Sequence, residues 1–217
     1  MENFSHSTQG TYKRNSGSLH RKALYLSIFT VGYNILEGIV SIIAGYLAGS
    51  VALVGFGLDS FVESLSGGVM IWRFEKHGKI SEEEEEKAEA KAARFVAYTF
   101  FVFGAYVLFE SLKKLIYRDI PEPSLLGIVI AIVSLVVMPV LFYLKNRIGK
   151  SIGSRGLVAD SKQTLACVYL SVALLTGLGL NYLFGLWWAD PAAGLLIVLF
   201  LVREGYETLR EEQVCAC

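Results

Sequence analysis

The sequence predicts an all-α polytopic membrane protein, a six-transmembrane-helix bundle with both termini on the cytoplasmic side. Three observations carry that expectation. Apolar residues make up 53% of the 217-residue chain and its mean hydropathy is +0.49, too apolar for a domain that must cover its surface with polar groups. Six stretches reach the roughly 20 mainly apolar residues that a helix needs to cross ~30 Å of hydrocarbon, where backbone N–H and C=O groups find no water. Basic residues gather on one side of those stretches.

The stretches lie at 23–49, 51–72, 93–116, 124–145, 156–183 and 189–205. Ahead of them, residues 1–22 are polar and lack an apolar core followed by a small-residue cleavage site, so they read as a cytoplasmic tail and not as a signal peptide. Gly45, Gly49 and Ser50 divide the first apolar run into two helices joined by a very tight turn. Residues 73–92 are too polar for lipid and form a cytoplasmic loop; its run Glu82 to Glu86 reads as a solvated surface, or as a weak cation-collecting one. Pro121 and Pro123 mark the turn between helices three and four, and Pro139 interrupts the backbone bonding of helix four. Residues 206–217 form a short second tail, leaving 23–205 as the transmembrane domain. Gly38, Gly45, Gly55, Gly67, Gly68, Gly177 and Gly179 are expected to let helices approach closely. No internal repeat is expected.

With the N-terminus cytoplasmic, that side collects Lys13, Arg14, Arg21 and Lys22, then Arg73, Lys76, Lys79, Lys87, Lys91 and Arg94, then Lys145, Arg147, Lys150 and Arg155, then Arg210. The opposite side has little, so the distribution obeys the positive-inside rule. Net charge is zero, with 20 basic and 20 acidic residues, and nothing in it points to nucleic acid. Cys167 lies in an apolar helix and Cys215 and Cys217 end the tail, which gives no disulfide framework. His6, His20 and His77 have no ligand spacing to one another and read as solvated. No Ser/His, Cys/His or histidine-cluster arrangement falls at membrane depth, so the chain is not expected to be an enzyme or to hold a prosthetic group.

Carboxylates inside the spans are the chemical signal. One at the bilayer centre costs at least ~2.5 kcal/mol on insertion scales, so it needs a partner, a wet cavity or a function. Asp59 and Glu63 sit four apart in helix two, one turn apart on one face, and two anions there repel unless a cation or proton intervenes. Asp160, Gln163 and Cys167 share a face of helix five at i, i+3 and i+7, offering a carboxylate, an amide oxygen and a thiol. Asn34 and Glu37 stand three apart in helix one, where Glu37 reads either as a ligand or as a proton-carrying acid. Gln163 alone also suits helix packing, and Cys167 alone a small buried hydrophobe. Lys113, Lys114 and Lys162 are the only basic residues expected near a span interior, and all three lie toward helix ends from which they can reach the interface.

At these residues the sequence resembles the cation diffusion facilitator family, transporters that export zinc and related divalent ions from the cytoplasm, usually in exchange for protons. The resemblance spans nearly the whole chain. Its carriers are Asn34-Ile-Leu-Glu37-Gly38, Ser50-Val-Ala-Leu followed by Asp59-Ser-Phe-Val-Glu63, Val158-Ala-Asp160, and Ala189-Asp190-Pro191-Ala-Ala-Gly194. In the family two acids of helix two join a His and an Asp, four apart, from helix five. Asp59 and Glu63 match the first pair, whereas Gln163 and Cys167 stand at the second, which changes both the charge and the softness of the site. Family members usually carry a cytoplasmic C-terminal domain; this chain ends shortly after helix six and resembles the branch without it.

The resemblance implies alternating-access export of a divalent transition metal, Zn²⁺ first, with Cd²⁺, Co²⁺, Fe²⁺ and Mn²⁺ as others, bound by Asp59, Glu63, Asp160, Gln163, Cys167 and Glu37 and exchanged for protons. It also implies a homodimer, in a prokaryotic plasma membrane to judge from the compact chain. The alternative expectation is a transport-inactive membrane protein that binds metal and regulates a partner membrane protein, which the altered helix-five pair favours.

Overall fold

The computed structural model describes residues 5–76, 82–122 and 124–215. These form six helices and, among the described residues, no strand: α1 (Ser5–Ala48), α2 (Val51–Lys76), α3 (Glu82–Tyr117), α4 (Leu125–Ile152), α5 (Arg155–Phe184) and α6 (Ala189–Cys215). An even number of helices returns the C-terminus to the end of the bundle where the chain began. The polar stretch before residue 23 is helical from Ser5, and the connection between α2 and α3 narrows to residues 77–81. Glu82 to Glu86 therefore lie in the opening turns of α3. His77, Pro123 and Cys217 lie outside the described residues, as do the side chains of His6, Glu82 to Glu86 and Cys215.

Packing closes the helices into a ring in the order α1, α4, α5, α6, α3, α2, and α2 also touches α5 and α6 across it. Flanked in this way by α1, α3, α5 and α6, α2 is the central helix. Four helices are long and apolar enough to cross a membrane on their own composition, over Leu19–Ala48, Arg94–Tyr117, Leu125–Ile152 and Gly156–Phe184. The other two, α2 and α6, carry acidic or basic residues within the bundle, and α2 presents most of its surface to protein, so it can hold polar groups that lipid would penalise. Outward faces remain apolar: Val129, Val133, Val136 and Val140 of α4 are all exposed.

Two of the helix pairs are built on one plan. The segment Gly45-Tyr-Leu-Ala-Gly49-Ser50-Val-Ala-Leu53-Val54 joins α1 to α2, and Gly149-Lys-Ser-Ile-Gly153-Ser154-Arg-Gly-Leu157-Val158 joins α4 to α5. In each, the second glycine takes a left-handed backbone, with φ of +61° at Gly49 and +68° at Gly153, a conformation that costs a residue with a Cβ. The serine that follows caps the next helix, its Oγ accepting from Leu53 N at 3.1 Å in one hairpin and from Leu157 N at 3.3 Å in the other. Its own N–H donates five residues back, Ser50 to Gly45 O at 2.8 Å and Ser154 to Gly149 O at 3.0 Å. The first glycine faces the valine nine residues on; a Cβ on Gly45 would stand 2.8 Å from Val54 N, and one on Gly149 3.1 Å from Val158 N. This repeat corrects the expectation that the chain has none, which a ten-residue match separated by about a hundred residues easily hides.

Lipid tails are as apolar as leucine, so close approach and polar contacts hold such a bundle. Gly38 and Gly57 bring α1 and α2 together, and Gly177 meets Ala193 between α5 and α6. A Cβ added to Gly68 or Gly179 would meet nothing within 4 Å, so these two are not close-approach points, contrary to expectation. Buried Asp190, second residue of α6, accepts from the Ser50 hydroxyl and from Val51 N at 2.9 Å. Lys114 of α3 donates to Gly49 O. The starts of α2 and α6 and the end of α3 are thus fastened at one end of the bundle, with a carboxylate at the N-terminus of α2. This gives the Ser50-Val-Ala-Leu and Ala189-Asp190-Pro191 motifs a structural task.

Candidate metal site

Asp59 lies eight residues into α2, about 12 Å along its axis at ~1.5 Å per residue, and Glu63 one turn further. Both are buried, at 8% and 3% exposure. Asp59 faces the charges of Glu63, Glu204 and Glu37, with the Cys167 thiol nearby. Among the described residues, no ion pair reaches Asp59 or Glu37. Glu37 is held from both sides: Tyr33 donates to Oε1 at 2.9 Å, and Ser60 of α2 to Oε2 at 3.0 Å. Buried Asn34 has neither amide atom partnered among the described groups.

α5 supplies the opposing wall. Cys167 is fully buried and feels the charges of Glu37, Glu63 and Asp59, so the thiol faces the acidic centre. Gln163 Oε1 is buried without a hydrogen-bond partner. The hairpin repeat sets their register: counted from the first glycine, Asp59 and Glu63 are the fourteenth and eighteenth residues after Gly45, and Gln163 and Cys167 the fourteenth and eighteenth after Gly149. Asp160 is one turn off that register. Its Oδ1 accepts from Ser66 at 3.3 Å, on the side away from Asp59.

Lys145 changes the electrostatics. The sequence places it at the cytoplasmic end of helix four, with only Lys113, Lys114 and Lys162 near a span interior; instead it is fully buried and points into the bundle. Its Nζ lies 2.9 Å from Asp160 Oδ2, 3.4 Å from Glu63 Oε1 and 2.8 Å from Thr164 Oγ1. Thr164 in turn donates to Glu63 Oε1 at 2.5 Å, while Glu63 Oε2 has no partner. A signal for Lys145 is present: it continues the inward stripe of α4, Gly127, Ala131, Ser134, Met138, Leu141, Lys145 and Gly149, at steps of three and four. Glu204 of α6, whose charge reaches Asp59, also escapes sequence reasoning, because it follows Arg203 near the end of an apolar run.

Other polar groups lie elsewhere. Glu110 pairs with Lys113 at 3.4 Å on the exterior. His20 is half-buried and meets Phe74 edge-on at 6.3 Å, so it is not simply solvated. Among the described residues, no three His, Cys, Asp or Glu side chains converge tightly enough to hold an ion as they stand. What the bundle brings together is four carboxylates, those of Glu37, Asp59, Glu63 and Asp160, with the Cys167 thiol and the Lys145 ammonium. Such an excess of buried negative charge calls for a cation or for protons.

Comparison with known proteins agrees with that chemistry. The family described as Cation efflux transmembrane domain matches residues 27–213. The chain is 28% identical over 191 residues to an uncharacterized transporter of Methanocaldococcus jannaschii, covering 86% of this chain and 66% of that protein. It is 23% identical over 208 residues to a cadmium, cobalt and zinc/H(+)-K(+) antiporter of Bacillus velezensis, covering 93% and 64%. A cation-efflux pump of Shewanella oneidensis is 25% identical over 175 residues, covering 77% and 58%. The chain spans about two thirds or less of the length of these relatives. Six helices, a buried acidic centre and a match along most of its length place this chain, an integral multi-pass membrane protein, in the cation efflux family of transporters, the cation diffusion facilitators.

Proposed function

We propose that the chain exports a divalent transition-metal ion from the cytoplasm in exchange for protons, Zn²⁺ first, with Cd²⁺ and Co²⁺ next and Fe²⁺ and Mn²⁺ further substrates. The observation that carries this is the charge imbalance at the centre of the bundle: Glu37, Asp59, Glu63 and Asp160 are buried there, and among the described residues the one buried ammonium, that of Lys145, pairs only with Glu63 and Asp160. Asp59 and Glu63 hold the ion, Cys167 and Gln163 close the site from the equivalent turn of the second hairpin, and Glu37 stands beside them. Asp160, held by Lys145, contributes charge more than direct contact. Protons compete with the metal for the same carboxylates, so loading one releases the other without a separate proton path. The thiol supports the softer ions. The Bacillus velezensis relative, named for antiport of cadmium, cobalt and zinc with protons and potassium, supports the same class of ion.

Metal uptake into proteoliposomes carrying an internal pH dye tests the reading, comparing wild type with Asp59→Ala over the five ions. Flux with opposing proton movement, lost in the variant, is the expected result; undiminished flux in Asp59→Ala would overturn the assignment. A second reading, a transport-inactive protein that regulates a partner membrane protein, draws on the ammonium that Lys145 already places on Glu63. Absence of flux for every ion would favour it.

A further inference from the structure

We propose that Lys145 is a tethered counter-cation of the transport site, competing with the transported ion for Glu63 and so keeping it weakly enough held to be released. The proposal rests on the reading of Asp59 and Glu63 as metal-binding. The Lys145 ammonium donates to Thr164 Oγ1 at 2.8 Å and to Glu63 Oε1 at 3.4 Å, and forms an ion pair with Asp160 Oδ2 at 2.9 Å. Asp160 and Thr164 stand one turn apart on α5 and anchor the ammonium from one side. Glu63, on α2, is the longest of the three contacts.

Glu63 is divided between two neighbours. Its Oε1 takes Lys145 and Thr164, while Oε2 has no partner, and the rest of the acidic centre, Asp59 and Cys167, lies around the same carboxylate. A dication gathered by Asp59 and Glu63 therefore shares Glu63 with a fixed positive charge a few ångströms away, both groups being buried where screening is weak. Two consequences follow. A monovalent ion offers Glu63 no more charge than the ammonium it already has, so the arrangement favours dications. A bound dication is also repelled, which matters because a transported ion must be held strongly enough to enter and weakly enough to leave. When the dication binds, Lys145 retains Asp160 and Thr164, so no charge is stranded.

Zn²⁺ titration calorimetry on the full chain in nanodiscs tests this, with Asp59→Asn as the blank for binding elsewhere. Lys145→Met removes the competitor, and Lys145→Met with Asp160→Asn removes the pair together, so that Asp160 is not left as an orphan charge if the single variant fails to fold. The expected result is Zn²⁺ binding tighter by about tenfold or more in whichever of these folds, slower Zn²⁺ release in proteoliposomes, and a return toward wild-type affinity in Lys145→Arg. A lysine that serves only to stabilise the fold predicts unchanged or weaker binding in the folded variants, and that result overturns the proposal while leaving the transport reading intact. Wild type that binds no Zn²⁺ above the Asp59→Asn blank removes the reading of Asp59 and Glu63 as a Zn²⁺ site, and this inference with it.

Discussion

The α1–α2 and α4–α5 hairpins share a turn, a cap and a glycine-on-valine contact, yet they hold opposite chemistry. The first delivers Glu37, Asp59 and Glu63, three carboxylates; the second delivers Lys145, Gln163 and Cys167, an ammonium, an amide and a thiol, with Asp160 tied to the ammonium. Closely similar backbone geometry thus places side chains of unlike charge at equal distances from two turns that lie at opposite ends of the bundle. The scaffold fixes where the four positions at offsets fourteen and eighteen fall, and the side chains alone decide what binds there. A site built this way can be retuned for charge or softness without disturbing the turn that positions it.

If the first hairpin supplies the charge that holds the ion and the second only shapes the site, equivalent substitutions must have unequal effects. Glu63→Gln removes a direct carboxylate and should lower metal flux in proteoliposomes by more than the ~10–100-fold that losing a supporting residue costs a metal site. Gln163→Leu, which removes a neutral amide, should fall within that range. Equal losses would mean that both hairpins bind the ion on equal terms.

The shared turn offers a smaller contrast, in stability. A Cβ on Gly45 would stand 2.8 Å from both Val54 N and Val54 Cγ2, whereas on Gly149 the nearest atoms, Val158 Cγ2 and N, lie at 3.0 and 3.1 Å. Backbone cannot yield as a flexible side chain can, so Gly45→Ala should destabilise the bundle by ~1–3 kcal/mol through overpacking. At Gly149 the milder contact is offset by the ~1 kcal/mol that alanine gains over glycine in a helix, and Gly149→Ala should leave the melting temperature in nanodiscs nearly unchanged. Similar losses at both glycines would show that the tighter contact at Gly45 is relieved elsewhere.

How much of this is legible in the sequence follows from what each residue's signal depends on. The six helices are readable because span length and apolar content are local properties, and Asp59 with Glu63 because a carboxylate in an apolar run is conspicuous without knowledge of its neighbours. Lys145 is not, since a lysine at the end of an apolar run is ambiguous between snorkelling outward and turning inward. The three-and-four spacing of the α4 stripe decides it, and that stripe means little until α1 and α5 are known to pack against it. Glu204 is hidden for the same reason. The hairpin repeat escapes notice because its constant positions are glycines and a serine, which in a membrane helix read as generic packing residues; what makes them specific is the left-handed φ and the cap. The placement of Gln163 and Cys167 follows from that repeat only once the turns are in view.

Cys167 offers the finest division between the hairpins. As the counterpart of Glu63 it stands in the second hairpin where the first has a carboxylate, fully buried and beside Asp59. Were it only a small buried hydrophobe, Cys167→Ser would exchange a weakly polar group for a hydroxyl that can bond back to its own helix, and all ions would be affected alike. As a ligand, the thiol biases the site toward soft ions, and serine replaces that bias with a hard oxygen while leaving the charge of Asp59 and Glu63 in place. Competition between Cd²⁺ and Zn²⁺ in one proteoliposome preparation isolates the difference, because a general loss of folded protein cancels in the ratio. The expected outcome is a severalfold fall in Cd²⁺ relative to Zn²⁺ flux in Cys167→Ser; an unchanged ratio would assign the ion to the α1–α2 hairpin alone and leave the second hairpin the lysine as its only contribution to the charge at Glu63.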